Sequence, residues 1–177
     1  MSNAVTIVCG TNRKDAVTLL VTTRYQEIMA NLGIETNVIN LADLPEDFAF
    51  SALYDNYGKN LKFNPYVDMM LATKKFVFIV PEYNGSFPGA LKTFIDGLEY
   101  PNTFRNKKGA LVGIASSGQG ASLALSHLTD IFNFCGMHIL AYKPRLEKIE
   151  ANIENGEITN PKYIGMLEKQ VKMLMEF

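Results

Sequence analysis

Tryptophan is absent from this chain, and cysteine and histidine occur only twice each. Cys9 and Cys135 lie far apart and match no metal-ligand spacing, so they read as small core residues, with neither a zinc site nor a disulfide expected. An excess of charge of one sign is missing as well: 17 basic side chains stand against 18 acidic ones, in no block that would follow a phosphate backbone or an anionic membrane. Nucleic acid and lipid are therefore poor partners. No apolar stretch reaches the roughly 18 residues that cross a bilayer, and the first residues lack a basic stretch leading into a long apolar one, so a cytoplasmic location is expected. What is present is a chain of 177 residues, expected to form one domain that can bury a sizeable core without staples.

Along that chain, apolar runs alternate with helical patterns. "AVTIVCG" reads as a buried strand, and "KDAVTLLVTTRYQEIMANLG" as a helix with Leu19, Leu20, Ile28, Met29 and Leu32 near a helical period before Gly33 ends it. "IETNVINLADLP" gives a second strand by alternation. Residues 46–64, polar and aromatic without a period, are expected to form a long loop. A short helix over 65–72 leads into "KFVFIVP", the third strand, and "PGALKTFIDGLEY" continues as a helix with Pro88 in its first turn. "KKGALVGIAS", "GASLALSHLTDIFNFCG" and "HILAYKP" make a fourth strand, a helix and a fifth strand, and "PKYIGMLEKQVKMLMEF" a closing amphipathic helix. Between the last two lies residues 147–160, whose charges and Asn155-Gly156 turn suggest a surface excursion. Continuous rather than alternating apolar strands imply a sheet covered on both faces, hence an α/β, doubly wound, five-stranded parallel sheet.

In such a sheet the ligand sits outside the carboxyl ends of the strands where strand order reverses, so the loops after strands one, three and four share one site. The first, "GTNRKDAVT", offers Gly10 for a tight turn, hydroxyls from Thr11 and Thr18, the Arg13 fork and a helix N-terminus: a phosphate cradle, or in the plainer reading a helix cap with a solvated arginine. It is neither the dinucleotide fingerprint nor a P-loop. The second, "PEYNGS", carries Glu82, Tyr83, Asn84, Gly85 and Ser86, with Ser86 placed to cap the following helix. A plain turn needs only a cap and a glycine, so a carboxylate, a ring and an amide in succession suggest a flat ligand with polar edges. The third, "SSGQGAS", supplies Ser116, Ser117, Gly118, Gln119, Gly120 and Ser122, its glycines letting backbone N–H groups approach closely. A phosphate at one end of a hydrogen-bonding aromatic body describes FMN.

Taken together, "PEYNGSFPGALKTFIDGL" after a strand and "GTNRK" after the first strand resemble the NADPH-dependent FMN reductase family of flavodoxin-like proteins, over residues 5–137. The resemblance implies the flavodoxin-like strand order 2-1-3-4-5. It also implies FMN bound by Gly10, Thr11, Arg13 and Thr18 at the phosphate, by Pro81, Glu82, Tyr83, Asn84, Gly85 and Ser86 around the ring, and by Ser116, Gly118, Gln119 and Gly120 on the third loop. Two departures from the family pattern stand out. Ala16 replaces a serine and Thr18 an asparagine in the first loop, and the arginine that often follows the third loop's glycines is missing, which leaves both NADPH and NADH open as electron donor.

The resemblance implies a ping-pong cycle in which the flavin takes hydride at N5 from a nicotinamide and passes electrons to a quinone, azo compound, metal oxyanion or free flavin, with no catalytic acid or base from the protein. His127 and His138 are accordingly read as structural. Phe48, Phe50, Tyr54 and Tyr57 either wall the reacting face or close the edge of the core. The resemblance also implies a homodimer or homotetramer, pairing through the helix after the second loop with Phe94, Leu98 and Tyr100 as candidates for the surface. A two-component receiver shares the fold, but Pro81-Glu82 stands where its phosphoacceptor aspartate belongs, and an electron-transfer flavodoxin would carry a marked acidic surface. A non-catalytic flavin-binding or redox-sensing protein needs the same three loops and remains the alternative to an enzyme.

Overall fold

Runs of β-branched and aromatic residues form the strands of the computed structural model, which describes residues 4–177. β1 (Val5–Cys9) and β3 (Lys75–Pro81) lie side by side in register from Val5 opposite Lys75 to Cys9 opposite Ile79. Between them in the chain come α1 (Val17–Asn31), β2 (Thr36–Asn40), the four-residue helix α2 (Phe48–Ser51) and α3 (Asn64–Ala72). After β3 follow α4 (Gly89–Asp96), β4 (Lys108–Ile114), α5 (Ser122–Phe134), the short strands β5 (His138–Ile139) and β6 (Arg145–Leu146), the hairpin β7 (Ile153–Glu154) and β8 (Glu157–Ile158), and α6 (Pro161–Glu176). The main sheet is wholly parallel in the order β2-β1-β3-β4-β5, as expected, with β6 also pairing with β4.

The pleat divides the core into two layers. Phe76, Phe78 and Val80 of β3 point to one face, where they meet α3, α4 and α5; Val77 and Ile79 point to the other, where α1 and α6 cover them. The first layer is aromatic: the Phe78 and Phe132 ring centroids lie 4.5 Å apart, and Phe104 meets Phe132 edge-on at 5.2 Å. Each such ring contributes on the order of 2 kcal/mol by leaving water.

Four expectations change. In α1 the buried face is Thr18, Val21, Thr22, Tyr25, Ile28 and Met29, whereas Leu19 and Leu32 are exposed. The helix ends as expected at Gly33, whose φ of 72° allows Gly33 N to donate to the Ala30 carbonyl and Ile34 N to that of Met29. The expected loop over 46–64 contains α2 and a 3-10 turn, and its aromatics divide: Phe48 is buried and stacks on Phe63 at 5.6 Å, while Phe50, Tyr54 and Tyr57 are exposed. The fifth strand is broken. Between the pairs Ile139–Gly109 and Arg145–Gly113 it advances six residues against four on β4, so the ladder opens there. The Gln170 side chain of α6 fills the gap, its Nε2 donating to the carbonyls of Leu111 (2.9 Å) and Tyr142 (3.0 Å). Lastly, residues 147–160 are more than a surface excursion. Asn155 and Gly156, both at positive φ, turn the β7–β8 hairpin, but Ile149 and Ile158 are buried in the α1–α6 layer, and that anchor holds the segment over the end of β4.

Candidate active site

The carboxyl ends of β1, β3 and β4 gather the three loops, because parallel strands in this order all end on one side of the sheet. Gly10 begins the first loop with its N–H on the Ile79 carbonyl at 2.8 Å. A Cβ there would sit 2.8 Å from that oxygen and 3.3 Å from Leu91 Cδ2, so close packing of neighbouring strands, rather than backbone conformation, requires glycine. Thr11 is fully buried; its hydroxyl accepts from Arg13 N (3.2 Å) and lies 3.0 Å from the Tyr83 hydroxyl, joining the first loop to the second. Beyond it α1 begins at Val17, with Ala16 as an N-cap whose side chain caps nothing, and no acidic residue occupies its first turn. The leading N–H groups and the positive end of a 15-residue helix therefore open into the cleft without a side-chain cap, with Asp15 beside them. Thr18 lines the same cleft, and neither its hydroxyl nor the Arg13 guanidinium has a partner among the described residues.

Positive φ at Asn84 (51°) and Gly85 (77°) folds the second loop into a tight turn, in which Tyr83 and Ser86 exchange both backbone hydrogen bonds. Glu82 Oε1 accepts from Gly85 N at 3.3 Å, which stiffens the turn further. Ser86 does not cap the next helix. The N-cap of α4 is Pro88, just outside rather than within the first turn, and the Ser86 hydroxyl instead lies 2.9 Å from Nδ1 of His127 on α5. His127, read from the sequence as structural, meets the second loop through this contact.

On the third loop Ser116 donates to Glu150 Oε1 at 2.6 Å, and Lys148 N donates to the Ser117 carbonyl. With its only proton on Glu150, the Ser116 oxygen is left as an acceptor in the cleft lining. Gly118 and Gln119 are exposed at the tip, while Gly120 turns inward at φ 55° against Arg145.

A cleft of about 250 Å³ joins these parts, lined by Arg13, Ala16 and Thr18, by Pro81, Glu82 and Tyr83, and by Ser116. Asp15, Val17, Ile149 and Glu150 also line it, and the sequence gives no sign of the last two, which arrive from the segment 147–160. Asn84, Gly85, Ser86, Gly118, Gln119 and Gly120 lie outside this cleft. A volume below the roughly 300 Å³ of complete ligand sites suits a phosphate and its sugar chain. Of the three carboxylates around it, Glu82 and Glu150 are already engaged by Gly85 N and Ser116.

The model for the NADPH-dependent FMN reductase family matches residues 3–144. The chain belongs to that family. An NAD(P)H-dependent FMN reductase of Schizosaccharomyces pombe is 30% identical over 98 residues, 53% of this chain and 47% of the relative, so the chain matches about half the length of that curated relative. Among solved structures, the flavoenzyme NAD(P)H:(acceptor) oxidoreductase FerB from Paracoccus denitrificans superposes with a TM-score of 0.80 at 22% identity, covering 98% of this chain and 96% of that one. An FMN-dependent NADH-azoreductase from Bacillus anthracis in complex with FMN gives a TM-score of 0.66 at 14% identity, covering 97% and 99%. These two likenesses concern the fold. Against the family pattern, the uncapped α1 end, the unpartnered Thr18 hydroxyl and the Arg13 fork fit an FMN phosphate, despite the alanine at position 16.

Proposed function

We propose that this chain is an NAD(P)H-dependent FMN reductase that passes electrons to a small-molecule acceptor of the quinone type, with azo compounds, metal oxyanions and free flavin as further acceptors. The observation that carries the reading is the convergence, in one cleft, of a helix N-terminus without a side-chain cap with Glu82, Tyr83 and Ser116 of the second and third loops. Bound FMN would supply the redox chemistry. The chain's own residues bind and orient: Arg13, Thr18 and the first N–H groups of α1 take the phosphate, and Gly10 and Thr11 hold that loop to β3 and Tyr83. Pro81 at the end of β3 and the turn 82–86, through Glu82, Asn84, Gly85 and Ser86, would hold one side of a bound ring, and Ser116, Gly118, Gln119 and Gly120 of the third loop the other. Tyr83 is 37% exposed, which leaves a nicotinamide or an acceptor room to reach a ring lying on the rim and favours an enzyme over a sealed flavin sensor. With NAD(P)H as donor the reading goes with a cytoplasmic location, one of the places where that donor is regenerated.

The visible spectrum of the FMN-loaded protein tests the reading. Its flavin bands should bleach on anaerobic addition of NADPH or NADH and return with a quinone. Bands that persist with both nucleotides would leave a binding or sensing role, and failure to hold FMN would remove the assignment of all three loops.

We further propose a homodimer through α4 and α5. Phe94 and Leu98, candidates for the pairing surface, are buried in the core; the exposed apolar residues there are Tyr100, Leu123 and Phe134. Tyr100 and Phe134 stack at 6.4 Å beside an apolar groove of about 490 Å³ that includes Ile95, Phe104 and Ile131. Rings stacked in water at a groove mouth suit an interface core. Phe134→Asp should convert a species of twice the monomer mass in sedimentation into a monomer with an unchanged melting curve; a native protein that sediments as a monomer would remove the dimer.

A further inference from the structure

The arginine that the family pattern sets after the third loop's glycines is missing, yet the structure brings two cations to the same loop from the neighbouring strand. Lys143 and Arg145, at the broken fifth strand, line a cleft of about 370 Å³ against Ser122, Ser126 and Thr129 of α5. These three recur at helical spacing and so share one face. Neither the Lys143 ammonium nor the Arg145 guanidinium has a hydrogen bond or ion pair among the described residues. Burial lowers the Lys143 pKa, the mark of an ammonium partly stripped of water with no counter-charge in place. Asp130 is the one carboxylate lining the cleft, so the cations outnumber it. Thr129 donates to the Leu125 carbonyl at 2.7 Å, but the Ser126 hydroxyl has no partner and is free to donate to an anion.

We infer that this cleft binds the 2′-phosphate of NADPH, with Arg145 and Lys143 as the residues that select NADPH over NADH. The inference rests on the reductase reading above and adds to it the donor and where its distinguishing group sits. Continuity with the third loop supports it: a Cβ on Gly120 would lie 2.5 Å from Arg145 Cβ and 3.1 Å from Glu147 Cγ, so Gly120 packs on the stem of Arg145, beside that of Glu147. Ser122, which opens α5 directly after that loop, lines the cleft as well, so loop and cleft adjoin along the chain. A dianionic phosphate there gains charge-assisted bonds from a planar guanidinium and an ammonium, which the free 2′-hydroxyl of NADH gains only weakly.

The test uses the FMN-loaded full chain with two probes, adenosine 2′,5′-bisphosphate and adenosine 5′-monophosphate, titrated by calorimetry, and the rates of flavin bleaching by NADPH and NADH. The native protein should bind the bisphosphate at least about tenfold more tightly, and K143Q/R145Q should abolish that difference. The same variant should lose between about ten- and about a hundredfold in kcat/KM for NADPH and less than about twofold for NADH. Ser126→Asp, which keeps both cations and adds a carboxylate, should act in the same direction. Equal binding of the two probes by the native protein, or parallel losses with both donors, would overturn the site while leaving the reductase reading intact. If neither nucleotide bleaches the flavin, that reading fails, and the bisphosphate titration still upholds or overturns the anion cleft on its own.

Discussion

Replacing Gln170 by leucine should lower the unfolding free energy by about 4 kcal/mol and the melting temperature by about 10 °C, although the substitution is to an apolar residue in a buried position. The loss comes from three groups at once. Gln170 is fully buried, its Nε2 serves the carbonyls of Leu111 and Tyr142, and its Oε1 accepts from the Tyr25 hydroxyl at 3.0 Å. Burial pushes the Tyr25 phenol pKa up, so it stays a protonated donor and fixes which way the amide faces. Leucine would strand two carbonyls and a hydroxyl in the α1–α6 layer, each at about 1 to 3 kcal/mol less whatever relaxation recovers. Tyr25→Phe strands only the amide oxygen and should cost about 1 to 2 kcal/mol, and the double variant should lose less than the sum because both remove the same bond. Denaturant unfolding of the four proteins reads this directly. A Gln170→Leu protein as stable as the native one would mean that the gap in the β4 ladder closes or hydrates by other means.

That network also explains what the sequence did and did not make legible. The layer order followed from patterns that local chemistry dictates: Phe76 to Val80 is apolar without interruption because both its faces are covered, and Gly33 ends α1 because its φ is positive. The misread residues are those whose environment comes from far along the chain. In α1 the helical period placed Leu19 and Leu32 on the inner face, but they are exposed, and the buried face carries Tyr25, whose hydroxyl meets Gln170, 145 residues away. The break in the fifth strand is equally silent locally, since "HILAYKP" reads as one strand and only the register on β4 reveals two extra residues. For the candidate site, glycine and turn chemistry marked the three loops. Glu150 escaped notice because its partner Ser116 lies 34 positions earlier, and His127, read only as structural, gave no sign of the Ser86 it meets 41 positions away.

Ala16→Asp should make the flavin-free protein more stable and at the same time weaken FMN binding by at least about a hundredfold. Ala16 already has the extended backbone of an N-cap (φ −72°, ψ 141°) but no side-chain oxygen to offer. An aspartate there would accept from the N–H of Thr18 or Leu19 and oppose the helix dipole, contributing about 1 kcal/mol. The FMN phosphate carries a charge of about −1.5 to −2 and would need the same N–H groups. A carboxylate in that place both occupies them and repels the phosphate at close range, which at about 3 kcal/mol or more corresponds to the stated loss. Thermal melts without and with FMN, beside a flavin fluorescence titration, separate the two effects. The variant should melt about 2 to 4 °C higher when free and lose the FMN-dependent rise that the native protein shows. Ala16→Ser, a neutral cap whose hydroxyl can turn to the phosphate, should keep both the gain and the binding. If Ala16→Asp binds FMN as the native protein does, the phosphate is not at the start of α1 and the roles given to Arg13 and Thr18 fall with it. Because one substitution is expected to move stability and binding in opposite directions, general damage to the fold cannot imitate the result.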